Sequence, residues 1–131
     1  MTDLTGLSLE PFRGDYEGLE KMAHASWRDE YGISSFPNFY RPAFLRYLFG
    51  RIREKDHLIG AYRGGEIVSF MGNIPHSFQF CGRIYRGTWS CLLVTRKELL
   101  HKGHAVAIIN EALRIHQKYK YDFALATFET G

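Results

Sequence analysis

Between Gly103 and Tyr119 the sequence carries an unbroken amphipathic helix pattern, with apolar runs of strand type on either side of it. Its period places Ile108, Ile109, Ala112, Leu113 and Ile115 inward and Asn110, Glu111, Arg114, Gln117 and Lys118 outward. A strand, helix, strand succession of this length closes as a right-handed parallel crossover. This constrains the chain to an α/β architecture whose sheet contains at least one parallel pair.

The sequence upstream adds elements of other periods. Leu7 to Phe12 reads as a short strand. Asp15 is placed to cap a helix whose face carries Leu19, Met22, Ala23, Ser26 and Trp27 and which ends near Gly32. Ile33 to Tyr40 reads as a loop, and Pro42 opens a second helix with Leu45, Leu48, Phe49 and Ile52 on its apolar stripe. His57 to Arg63, the Gly64-Gly65 turn and Glu66 to Asn73 form a predicted hairpin. A turn at Cys81-Gly82 joins Ser77 to Phe80 with Arg83 to Thr95. After the long helix, Phe123 to Phe128 reads as a buried strand. The whole is a mixed, mostly antiparallel sheet in the α+β manner.

At 131 residues this is one domain by length, and the 45% hydrophobic content can supply a core. The charge of +3 favours an anionic partner, but basic residues are dispersed and form no nucleic-acid arm. Arg83, Tyr85, Arg86 and Trp89 alternate too poorly for one exposed stacking face, so nucleic acid is not the expected partner. Cys81 and Cys91 lack the spacing of a zinc site or a disulfide framework and read as reduced core thiols. His101 and His104 have no third ligand at metal spacing, and no metal is expected. No stretch of about 18 apolar residues and no leader pattern is found, which makes the expected location cytoplasmic and excludes a membrane span.

The chemistry concentrates in Leu93 to Val106. Leu93, Val94 and Thr95 end a strand, a basic loop comes next, and Gly103 starts the helix. Outward N–H groups and the helix dipole make such a start an anion site, and a glycine lets phosphate approach closely. Arg96, Lys97 and Lys102 add positive charge beside it.

Leu100-His101-Lys102-Gly103-His104-Ala105, then Val106-Ala107-Ile108-Ile109 and later Tyr121-Asp122-Phe123-Ala124-Leu125, resembles the Gln/Arg-x-x-Gly-x-Gly/Ala signature and fifth strand of the GNAT superfamily of N-acyltransferases. The resemblance runs from Leu7 to the C-terminus. It implies acetyl-CoA as co-substrate, with its pantetheine arm on the backbone of Leu93, Val94 and Thr95. The pyrophosphate would then rest on the N–H groups from His101 to Val106. Leu100 departs from the family, which has Gln or Arg there.

Transfer of acetyl to a primary amine by direct attack needs a base, a polarised carbonyl and protonation of the leaving thiolate. The family often carries its base on the fourth strand, yet Cys81 to Lys97 contains no acid, and Trp89 or Ser90 occupies the place. His76 is the titratable alternative. The resemblance places the acceptor near Tyr31, Phe36 and Tyr40. It also implies a further helix, bearing the general acid, and two further strands beyond Gly131. The expectation is a single but incomplete domain whose strand Phe123 to Phe128 is covered by a continuation or by self-association. A non-catalytic module binding coenzyme A or a partner protein is the alternative, motivated by Leu100 and the acid-free fourth strand.

Overall fold

The computed structural model describes residues 4–31 and 40–126, with the side chains of residues 28–31 excepted. Five strands form one sheet in the order β1 (Ser8–Pro11), β2 (Leu58–Arg63), β3 (Glu66–Phe80), β4 (Arg83–Thr95) and β5 (Phe123–Ala126). The first three pairings are antiparallel, and β4 with β5 is parallel, across helix α3 (His104–Tyr119). The parallel strand, helix, strand unit expected from the periodicity is therefore present.

Helices α1 (Tyr16–Tyr31) and α2 (Pro42–Phe49) cover one face of the sheet. The Asp15 carboxylate caps α1 by accepting the Gly18 N–H at 2.9 Å, and Leu19, Met22, Ala23 and Ser26 are buried beneath it. Phe70 anchors this layer, edge-on to Phe12 at 5.1 Å and tilted against Phe49 at 5.9 Å. On the other face Ile108, Ala112 and Ile115 of α3 meet Ile59, Ala61, Val68 and Met71.

Ile109 and Leu113 do not turn inward as expected. They are exposed, as is Val106, because α3 rests on one sheet only and its apolar arc is wider than that contact. Nor is β5 buried: Ala124, Leu125 and Ala126 are exposed, since no described element lies beyond it. Residues 127–131, including the rest of the predicted strand, lie outside the described residues. Cys81 is no core thiol; it occupies the exposed turn, and Cys91 alone is substantially buried.

β3 is continuous through Pro75, where the sequence pattern predicts a break. β2 leaves β3 after Gly72, so among the described residues Pro75 sits where β3 has β4 on one side and no strand on the other. A missing N–H is tolerated at such an edge. Within β4, Gly87 lets β5 come close: a Cβ there would lie 2.5 Å from the Phe123 carbonyl oxygen.

Candidate functional site

The coenzyme side begins with a defect in β4. Phe70 opposes Val94 and Gly72 opposes Cys91, so Leu92 and Leu93 together face the single residue Met71. Leu92 takes φ 56°, the mark of a bulge that bends the strand and re-aims the residues after it. β5 pairs with β4 only from Gly87 to Ser90. Among the described residues, Cys91 to Thr95 have β3 on one side and no strand on the other. An extended chain can be received along such an edge. The strand end is held firmly: Ser69 Oγ donates to the Val94 carbonyl at 3.0 Å, and Ser26 Oγ to the Thr95 carbonyl at 2.8 Å.

From there Arg96 makes the last ladder bond, its N–H to the Val68 carbonyl at 2.8 Å, and Lys97–Leu99 form a 3-10 turn. His101 (φ 63°) and Gly103 (φ 92°) reverse the chain into α3. Gly103 is the N-cap and, as a glycine, brings no side-chain capping bond to the helix start. The Ala107 N–H, bonded to the Gly103 carbonyl at 3.0 Å, begins the helical ladder. The N–H groups of the first turn, at His104, Ala105 and Val106, thus precede that ladder and point along the axis.

Expectation and geometry differ in detail here. The Leu100 and Lys102 N–H groups are spent inside the turn, on the carbonyls of Lys97 (3.2 Å) and Leu99 (3.4 Å), which takes Lys102 out of the expected His101 to Val106 anion cradle. His104 cannot offer its ring to a phosphate, because the side chain is buried. His101 and Lys102 are exposed at the rim, and Leu100 is half-buried. Arg96 is partly neutralised by Glu66 at 3.1 Å and Glu98 at 3.5 Å.

A second concavity opens on the α2 face of the sheet. It encloses about 540 Å³ between Tyr47 and Leu48 of α2, the segment Arg51–Glu54 and the strand residues Ile74, Pro75, His76 and Trp89. His76 is exposed at its wall, edge-on to Phe78 at 5.9 Å. Glu54 is its carboxylate, missed in the sequence because it lies far from β4.

Ser90 is elsewhere. Its buried hydroxyl donates to Asn73 Oδ1 at 2.8 Å, and Asn73 Nδ2 donates to the His57 carbonyl at 3.1 Å. Alternation along β4 sets Ser90 on the face opposite Trp89, so it is a structural hydroxyl rather than part of this concavity. Tyr40 is also displaced from its expected role. It is buried against Trp27, with ring centroids 6.4 Å apart, and burial raises its phenol far above the ordinary range. The Tyr31 side chain and Phe36 lie outside the described residues.

The α3 side holds a polar cluster that the sequence did not announce. The fully buried His57 ring meets Tyr121 Oη through Nε2 at 2.6 Å, and its Nδ1 faces the Glu54 carbonyl at 3.1 Å and Asp56 Oδ1 at 3.2 Å. Burial pushes the Asp56 carboxyl up, but Lys118 at 2.8 Å and Tyr119 at 3.0 Å outweigh it and hold the group below the usual range. His116 Nε2 meets Thr88 Oγ1, and burial, then the charge of His57, lowers its imidazole. The cluster ties β2, β4, α3 and the entry to β5 together. It lies at the C-terminal end of α3, away from the anion cradle.

The bulged β4, the crossover helix begun by a glycine and the parallel β5 give the chain a GNAT-like fold. Solved structures agree. N-Myristoyltransferase of Saccharomyces cerevisiae with bound myristoyl-CoA superposes with a TM-score of 0.77 at 18% identity, over 96% of this chain and 30% of that one. A predicted acetyltransferase of Clostridium acetobutylicum, solved with acetyl-CoA, gives 0.71 at 12% identity, over 95% and 82%. An aminoglycoside acetyltransferase from an uncultured soil metagenomic sample gives 0.60 at 17%, over 95% and 81%. The chain thus spans less than a third of the length of the yeast enzyme. No protein-family model matches the sequence, and no curated protein matches it.

Proposed function

We propose that this chain is an acyl-CoA-dependent N-acyltransferase domain that transfers an acyl group, acetyl in the simplest case, to a primary amine. The observation that carries the reading is the bulge at Leu92–Leu93, which opens a strand edge leading straight to the Gly103–Val106 helix start. Pantetheine amides would lie along Leu93 to Thr95 as an added strand, and the pyrophosphate would accept from the N–H groups of the first helical turn. Acyl-CoA in the similar structures supports this arrangement.

The amine would enter from the concavity on the α2 face. Its nitrogen attacks the thioester carbonyl, the C–S bond breaks, the amine proton passes to a base and the thiolate takes a proton. His76 and Glu54 line that concavity and are the candidate bases. The acid-free β4 favours a second reading, a coenzyme A-binding module without turnover.

Release of free coenzyme A thiol from acetyl-CoA, monitored across a panel of amines, tests the proposal. Turnover that falls in Glu54→Gln or His76→Ala supports catalysis, and acetyl-CoA binding without turnover on any amine leaves the module. The exposed outer edge of β5 further supports self-association by strand pairing. Light scattering at micromolar concentration checks this, and a clean monomer contradicts it.

A further inference from the structure

We infer that the acceptor is an amino carboxylate with an apolar body, its carboxylate held by Arg51 and Arg53. This deepens the acyltransferase reading and rests on it. Seven other arginines of this molecule have identifiable partners. Arg13, Arg41, Arg46 and Arg114 each pair with a glutamate, Arg96 with two, and Arg83 and Arg86 lie over tyrosine rings. Arg51 and Arg53 have neither a carboxylate nor a ring partner among the described residues, and both line the same concavity.

Their placement is set by the backbone. Ile52 is buried and its N–H is bonded to the Phe49 carbonyl at 3.1 Å, which pins the chain where it leaves α2. The residues on either side are thereby turned outward at the lip, two guanidinium groups two positions apart. Guanidinium is the cation best matched to a planar carboxylate, by paired N–H donors. Glu54, next in sequence, brings one negative charge to the same concavity. Two cations and one anion suit a ligand whose own carboxylate and ammonium lie close together.

Apart from the imidazole of His76, the remaining surface is apolar or aromatic, with Ile74 and Pro75 on the strand side and the exposed Tyr47 and Trp89 rings beside them. That surface would cover a hydrocarbon or aromatic side chain. Acylation removes the ammonium charge, so the product loses its attraction to Glu54 while keeping that to the arginines. Discrimination among amines therefore resides in the carboxylate.

Calorimetric titration of the full chain with L-phenylalanine, 2-phenylethylamine and phosphoethanolamine, with and without saturating coenzyme A, tests the assignment. L-Phenylalanine is expected to bind about tenfold or more tightly than 2-phenylethylamine, the effect of charge-assisted hydrogen bonds to one carboxylate. In the Arg51→Gln/Arg53→Gln variant, which alters only exposed side chains, that preference is expected to vanish. Equal affinities, no binding of either compound, or a preference that survives in the variant each overturn the assignment. Tighter binding of phosphoethanolamine overturns the carboxylate in favour of phosphate. Failure of coenzyme A to bind in the same titrations would instead sink the acyltransferase reading, and the amine arms without coenzyme A would still decide this one.

Discussion

Replacing Tyr121 by Phe isolates one hydrogen bond at the junction that fixes β5. The ring is retained, so its contacts with His116 (5.2 Å between centroids) and the Arg86 guanidinium (5.3 Å) persist. The change removes the 2.6 Å bond to Nε2 of His57, a side chain with no solvent exposure. A buried polar atom left without its partner costs about 1–3 kcal/mol. For a domain with an unfolding free energy of about 5–15 kcal/mol that is a large fraction. With a urea m-value of about 2 kcal/mol/M, a loss of about 2 kcal/mol moves the urea midpoint down by about 1 M. Equilibrium urea unfolding monitored by tryptophan fluorescence measures it. A midpoint shift under about 0.2 M would show that His57 finds another partner and that the cluster does not hold β5.

Two further outcomes are expected. His116 is held below its ordinary value by burial and by His57, so the unfolded chain binds the proton first as pH falls through 6.5. Its contribution is present in full above that value and declines between it and the lower folded-state value. Stability against pH should therefore fall on acidification through this window in the natural protein and flatten in His116→Gln, as urea midpoints from about pH 7.5 to about 5 will show. The two thiols should react unequally with a disulfide reagent: Cys81 in its exposed turn promptly, and Cys91 slowly, since burial pushes its thiol up to about 11. Two equally fast thiols would show that β4 is not packed as described.

The sequence disclosed features that depend on near neighbours. The extent of α3, the Asp15 cap and the Cys81-Gly82 turn each depend on residues within a few positions, and all are found where expected. So is the glycine that begins α3, because a signature at a helix start is a local backbone requirement. The concavity could not be read in this way: Arg51 and Glu54 come from the exit of α2, His76 from β3 and Trp89 from β4, and only the sheet brings them together. The His57 cluster is more extreme, joining Asp56 to Lys118 and His57 to Tyr121 across more than 60 positions. Burial misled in one direction. Apolar residues such as Leu113 and Leu125 carry the pattern of a core, but whether something covers them is decided by neighbours that the pattern does not name.

The central claim is that Gly103 to Val106 receive the phosphates of an acyl-CoA, and an acetyl-CoA titration by thermal unfolding tests it most directly. At about 100 times its dissociation constant, acetyl-CoA should stabilise the protein by about 2.7 kcal/mol. Gly103→Glu, which sets an anion at the helix start and a side chain at φ 92°, should abolish that gain. Stabilisation of the natural protein that disappears in the variant is the predicted result. No stabilisation of the natural protein, or an equal gain in both, would contradict the account.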